Sequence, residues 1–104
     1  MARQYDVCRL TGLRAESPVD LAVILQDDTL SELATRIIAP LVPVAERYRV
    51  QRATPVIELD GVRYIVAVLL LTSIPLRHLG QVVASLSDQE RQLKGALDAV
   101  FFGV

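Results

Sequence analysis

The stretch that decides the fold is PVIELDGVRYIVAV, which runs from Pro55 to Val68 of the 104-residue chain. Two runs rich in β-branched residues flank Asp60-Gly61, and both of these positions tolerate the positive φ angles of a type I′ turn. The stretch therefore predicts an antiparallel hairpin, and it indicates a framework that is mainly β.

Shorter strand-like runs lie outside this hairpin. Tyr5–Leu10 and Leu21–Leu25 are predicted strands, and Thr11–Pro18 between them has the composition of a loop. The run Arg36–Ala39 enters Pro40, and because proline has no N–H for a sheet ladder we expect this strand to end there or to lie at an edge. Three further expectations are a helical turn at 30–33, a turn region at 73–80, and a short strand or helix at 81–86.

The end of the chain is predicted to be a helix. Ser87-Asp88-Gln89-Glu90 matches a capping box, in which the serine accepts a backbone N–H and the glutamate reaches back to the cap. Apolar residues follow with a period near 3.6, which predicts one buried stripe: Leu93, Ala96, Leu97, Val100, Phe101 and Val104. The opposite, solvated face receives Arg91, Gly95, Asp98 and Phe102. Phe102 is thus a large aromatic side chain on a wet face, and that placement needs a functional or structural reason.

Composition places the chain among soluble globular proteins. Hydrophobic residues make up 52% and charged residues 22%, so disorder is excluded as the main state. The net charge of −1 lacks the basic excess of proteins that grip nucleic acid by themselves. Ile65–Leu71 is the longest apolar run and is far shorter than a membrane span, and Cys8 is the only cysteine. We expect one cytoplasmic domain over residues 1–104, with no membrane partner.

No residue set predicts catalysis or metal binding. His78 is the only histidine, and one histidine with one cysteine cannot complete a closed zinc site. Cys8 lies in a strand-like run, which favours a buried structural thiol over a nucleophile. The acidic pair Asp27-Asp28 follows a strand, where solvated carboxylates are commoner than a metal or acid–base site. We therefore expect no cofactor and no enzymatic activity.

Two further features point to binding. Arg47, Arg49 and Arg52 suggest phosphate contacts, but the acidic balance of the chain favours a solvated loop. The terminal sequence FFGV, residues 101–104, has one aromatic directed outward and is typical of an interface anchor, because aromatics supply rigid contact area. The alternatives are a terminus that folds back onto the domain and a contact between two copies of the chain.

At these residues the chain resembles the CcdB family, the toxin half of a toxin–antitoxin module. That family ends in Phe-Trp-Gly-Ile after a helix introduced by Leu-Ser-x-x-Glu, and here Leu86–Glu90 leads to Phe101–Val104. From Leu21 onward the two align almost without gaps, whereas the loop Arg14–Asp20 is longer here. Other matching stretches are Arg36–Leu41, Pro55–Ile57, Ser73–Leu76 and Leu79–Leu86.

The resemblance implies a fold, an activity and partners. The fold is CcdB/MazF-like, mainly β with a C-terminal α-helix, with an SH3-like barrel plus a small antiparallel sheet, and it forms a homodimer. The implied activity is that of a poison, which binds the A subunit of DNA gyrase and traps the gyrase–cleaved-DNA complex. A cognate CcdA-like antitoxin neutralises such a toxin. Their complex represses its own operon, and DNA is contacted indirectly, chiefly through the antitoxin.

The resemblance also implies which residues contact gyrase. Phe102 stands at the family tryptophan that stacks on a gyrase arginine, and Gly103 and Val104 complete that contact. Asp98 stands where the family has an asparagine, and Thr29-Leu30 stand where it has two isoleucines. A phenylalanine ring can still stack on a guanidinium, although cation–π attraction is strongest for tryptophan.

Two alternatives follow from these departures and from related folds. The first is a CcdB-like homologue with weak or no gyrase poisoning that binds the antitoxin and co-represses its operon. The second is cleavage of mRNA, an activity of related toxin barrels that requires an acid–base set near a basic cleft. His78 and scattered arginines are its only support.

Overall fold

The computed structural model describes residues 2–12, 19–44 and 51–103, which form a mainly β fold closed by one helix. The helix α1 spans Glu90–Phe102. The strands are β1 (Asp6–Leu10), β2 (Leu21–Ile24), β3 (Thr35–Pro43), β4 (Val56–Leu59), β5 (Val62–Val66), β6 (Thr72–Pro75) and β7 (Leu79–Ser85). Short 3-10 turns occupy Asp28–Leu30, Val68–Leu70, Leu76–His78 and Ser87–Gln89.

The sheet is antiparallel and curls around β3. Along one edge β3 pairs with β2, and the sheet continues through β1 to β7. Along its other edge β3 pairs first with β6 at residues 35–38 and then with β5 at residues 41–43, and β5 pairs with β4. The resulting half-barrel with a C-terminal helix confirms the predicted fold class.

The central hairpin forms as predicted. Leu59 of β4 pairs with Val62 of β5 across the two-residue connection. The φ angles of Asp60 and Gly61 are 50° and 79°, the left-handed values that a type I′ turn requires at both positions.

The prediction that the strand ends at Pro40 or lies at an edge is wrong. β3 continues to Pro43 and has partners along both edges. The Pro40 carbonyl accepts the N–H of Ala67 at 2.9 Å, so the imide nitrogen also points to that side and away from β2. There Pro40 lies between the residues paired with β6 and those paired with β5, so its missing N–H interrupts neither ladder.

The expected turn region at 73–80 is confirmed only at Leu76–His78, which form a 3-10 turn. Residues up to Pro75 belong to β6, and Gly80 lies inside β7. Of the two structures expected at 81–86, the strand is the one that forms, and it ends at Ser85. A Cβ at Gly80 would lie 2.8 Å from Cγ2 of Thr11 and 3.1 Å from the carbonyl oxygen of Arg9. Gly80 therefore serves the close approach of β7 to β1, where the register is irregular, and does not form a turn.

The core lies on both faces of β2. Leu21 and Val23 contact the main cluster beneath α1, whereas Ala22 and Ile24 join a second cluster with Cys8. Burial on both faces explains why this strand is continuously apolar and does not alternate.

Two expectations for α1 differ from the structure. No side chain caps the helix: a 3-10 turn at Ser87–Gln89 precedes it, and the Ser87 hydroxyl accepts from the hydroxyl of Ser85. Leu93 and Ala96 are buried as predicted, but Phe101 is 59% exposed. Leu97 and Val100 are partly buried against the main core cluster, so the contact of the helix with the core ends at Val100, before Phe101. Val104 lies outside the described residues.

Candidate partner-binding surface

The outward side of α1 carries a row of residues spaced by four, which is inclined to the helix axis. Glu90, Lys94, Asp98 and Phe102 are all exposed and form the helix row. Lys94 Nζ lies 3.1 Å from Glu90 Oε1, and this hydrogen-bonded carboxylate raises the pKa of Lys94. Asp98 makes no ion pair within the described ranges, so its charge is available to a partner.

The row ends at an aromatic pair that faces solvent. Phe102 is 76% exposed, which confirms its predicted place on the wet face and rules out the fold-back alternative. Gly103 follows with φ 70°, and its N–H donates to the Ala99 carbonyl at 3.2 Å. This left-handed cap ends the helix directly after the ring and turns the backbone away from the helix axis.

Thr29 and Leu30 lie in the loop between β2 and β3. A 3-10 turn covers Asp28–Leu30, so it begins two residues earlier than the helical turn expected at 30–33. Asp27 sets this start, because its carboxylate accepts hydrogen bonds from the backbone N–H and the hydroxyl of Thr29. These two bonds lower the pKa of Asp27.

This loop lies beside the first turn of α1. The Asp27 charge is close enough to raise the pKa of Lys94, and Asp28 and Glu90 line the same shallow depression. Phe102 is twelve residues beyond Glu90, which corresponds to about 18 Å of helix. The predicted contact residues are therefore not gathered in one pocket. They mark the two ends of an exposed strip along the helix row.

Sequence reasoning missed three exposed leucines. Leu33 is half exposed in the same loop as Leu30. Leu69 and Leu70 face solvent on the 3-10 turn at 68–70, which packs against α1. The apolar run from Ile65 concealed Leu69 and Leu70, because a run of that kind is equally typical of a buried strand.

The residues considered for catalysis do not form a reactive site. Cys8 is fully buried, and burial, assisted by the charge of Asp6, raises the pKa of its thiol. Nδ1 of His78 lies 2.8 Å from the carbonyl oxygen of Thr11, so this nitrogen donates and ties the turn to the residue that follows β1. The described part of the chain contains no cluster of three or more metal-ligating side chains.

The charged candidates differ in position: Asp28 has a structural role, Arg52 is exposed, and the other two arginines lie outside the described residues. Asp28 accepts the N–H of Gln4 at 2.8 Å and lies 3.6 Å from Nε of Arg3, so it braces the loop against the N-terminal segment. Arg52 is exposed, and its Nε would lie 3.9 Å from a Cβ at Gly95 of α1. Arg47 and Arg49 lie outside the described residues. No helix in the described ranges is long and apolar enough to cross a membrane.

Comparison with known proteins assigns the class. The family model described as CcdB protein matches residues 4–103, almost the whole chain. Together with the curled half-barrel and its terminal helix, this match identifies the protein as a toxin of the toxin–antitoxin class. The family is one of toxins rather than of enzymes. The chain belongs to the CcdB family. No curated protein matches it.

Proposed function

We propose that this protein poisons DNA gyrase: it binds the A subunit and traps the gyrase–cleaved-DNA complex until a cognate CcdA-like antitoxin removes it. The observation that carries the proposal is Phe102, which is 76% exposed at the end of α1 and which the family resemblance aligns with the family tryptophan. Phe102 is exposed next to Phe101, and adjacent apolar rings of this kind form a patch typical of an interaction site.

The geometry suits stacking on a guanidinium. The ring is carried by the last residue of α1, and the left-handed Gly103 turns the chain aside, which leaves a ring face open. A cation over that face is attracted by about 0.5–2 kcal/mol, depending on how far it is desolvated. Asp98, one turn earlier and unpaired among the described residues, supplies a carboxylate to the same basic group or to one beside it.

We also propose that the protein acts as a homodimer. Leu69 and Leu70 are exposed on the 3-10 turn that packs against α1, and Phe101 is exposed on the last turn of that helix. Apolar side chains of this size favour an interface. A dimer through this region presents two copies of Phe102 to the two A subunits of gyrase. The antitoxin complex, rather than the toxin alone, then represses the operon and contacts DNA.

The test is a cleavage assay with host gyrase on supercoiled plasmid. The parent protein should convert plasmid to linear DNA that remains trapped on gyrase, and Phe102→Ala should not. Phe102→Trp should trap at least as much as the parent, because the larger ring binds a cation more strongly. Val62→Ala, which truncates an exposed apolar side chain on β5, is the matched control and should behave as the parent.

The outcomes separate the alternatives. No trapped DNA with a folded parent protein would overturn the proposal and favour antitoxin binding without poisoning. Trapping that survives Phe102→Ala would keep gyrase as the target but remove this ring from the mechanism. Degradation of added RNA by the parent would instead favour the nuclease alternative.

A further inference from the structure

The loop between β2 and β3 holds two leucines in solvent. Leu30 is 49% exposed and Leu33 is 51% exposed. The backbone N–H of Leu33 donates to the carbonyl of Leu30 at 3.1 Å, so the two residues share one tight turn. Only Leu30 belongs to the contact set that the family resemblance implies.

Gln26 closes the neck of this loop from inside. The side chain is buried, and its Oε1 accepts the N–H of Ile37 at 3.1 Å. The Ile37 carbonyl in turn accepts the N–H groups of Leu25 and Gln26. Nε2 of Gln26 donates to the carbonyl of Leu30 at 3.1 Å and to that of Thr35 at 3.4 Å.

Arg36 fills the remainder of the loop interior. It is 3% exposed and has no ion pair within the described ranges. Its guanidinium donates to the carbonyls of Leu33 and Ser31, each at 2.6 Å, and to that of Thr35 at 2.8 Å. Burying a cation without a carboxylate is costly, and here the compensation consists of main-chain carbonyls, two from the loop and one from the first residue of β3.

The two buried side chains thus act on the two exposed leucines. Gln26 holds the carbonyl of Leu30, and Arg36 holds that of Leu33. On the outer side of the loop, the carboxylate of Asp27 accepts the N–H of Thr29 and that of Asp28 accepts the N–H of Gln4. The loop is therefore held by hydrogen bonds on its inner and its outer side. A loop fixed in this way loses little conformational entropy when a partner binds it.

We propose that Leu30 and Leu33 form a preorganised apolar contact for the A subunit of gyrase, with Gln26 and Arg36 as its positioning residues. This inference rests on the proposed function and extends it to Leu33. Residues 27–34 include three acidic side chains, Asp27, Asp28 and Glu32, and no basic one. Arg3 offsets one of these charges through its ion pair with Asp28, and the remaining acidic excess favours an apolar recess bordered by basic residues as the matching partner surface.

The direct test is binding of the parent and Leu33→Ser to the purified A subunit. Because Leu33 is half exposed, the variant should fold, and its affinity should fall by about tenfold, the range of an interface anchor. Val62→Ser, which changes an exposed apolar side chain on β5 away from this loop, is the matched control and should bind as the parent. Unchanged affinity for Leu33→Ser would overturn the contact.

The positioning role is tested by a double-mutant cycle. Gln26→Glu keeps the acceptor for Ile37 but loses both donors at neutral pH. Its loss of affinity should not add to that of Leu30→Ser, because the first change acts through the second residue. Additive losses would overturn the positioning role.

A local readout separates this inference from the proposed function. Amide hydrogen exchange in the free protein should accelerate at residues 29–34 in Gln26→Glu and in Arg36→Met, whereas exchange in α1 stays slow. Unchanged exchange at 29–34 would overturn the positioning role whatever the partner. A parent protein with no affinity for the A subunit would overturn the proposed function and the contact with it. Loss of antitoxin affinity alone in Leu33→Ser would assign the loop to that partner instead.

Discussion

Oδ1 of Asp27 accepts two hydrogen bonds from Thr29, one from the backbone N–H at 2.8 Å and one from the hydroxyl at 2.7 Å. The backbone bond is the main reason that the pKa of Asp27 is below its ordinary value of 3.8, and the hydroxyl bond adds to the effect. A carboxylate with a lowered folded-state pKa stabilises the native state above its unfolded pKa. That stabilisation is lost as the pH falls through the lowered value.

The first prediction concerns this acid dependence. Hydrogen exchange of the Thr29 amide should be slow at neutral pH and should accelerate, relative to its intrinsic rate, below about pH 3.8. In Asp27→Ala the amide should exchange quickly at every pH. Asp88→Ala, which removes an exposed acid at the turn before α1, is the control and should leave Thr29 protected. A Thr29 amide with the same protection in parent and Asp27→Ala would show that the cap does not hold the turn.

The left-handed residue after α1 supports a second prediction. Gly103 has φ 70°, and nothing lies within 4 Å of a Cβ built there, so alanine would meet backbone strain but no clash. Gly103→Ala should lower the free energy of unfolding by about 1 kcal/mol, while Gly103→Asn should cost less because asparagine tolerates this region. Thermal unfolding measures both. Equal stability of parent and Gly103→Ala would mean that the last turn contributes nothing to the fold.

The fold was predictable where local chemistry decides it. Asp60-Gly61 specifies its turn from two residues alone, and the structure follows that prediction. Pro40 and Gly80 misled the interpretation because their roles depend on strands distant in sequence. Pro40 faces a gap between two partner strands, and Gly80 faces the backbone of Arg9. The residues next to Pro40 and Gly80 in the sequence do not indicate which strands will lie beside them in the fold.

The candidate site divides in the same way. Helical periodicity placed Phe102 on the solvated face correctly, because 100° per residue fixes the relative faces of a helix. It misplaced Phe101, since how far the sheet extends beneath the helix is decided by tertiary packing. The sequence likewise shows Arg36 as one charge in an apolar strand. Its burial depends on loop carbonyls that converge only after folding.

A third prediction concerns the single cysteine. Cys8 is fully buried in the smaller cluster, and burial raises the pKa of its thiol, so the thiolate needed for reaction is scarce at pH 8. A thiol reagent should modify the native protein slowly and the denatured protein at once. Ser73→Cys, which adds a second thiol at an exposed position on β6, is the control and should react quickly at that site. Rapid modification of Cys8 in the native protein would mean that β1 opens readily.

The fourth prediction tests the proposed homodimer at the 3-10 turn beside α1. Leu70 is 63% exposed on this turn, and a carboxylate there would be buried without a partner if two copies meet at this surface. Leu70→Asp should therefore be monomeric in sedimentation equilibrium at concentrations where the parent is dimeric. Val62→Asp, the same change at a 43% exposed position in the β4–β5 hairpin, should remain a dimer. A Leu70→Asp protein that dimerises as tightly as the parent would move the interface elsewhere, and a monomeric parent would remove the dimer from the proposal.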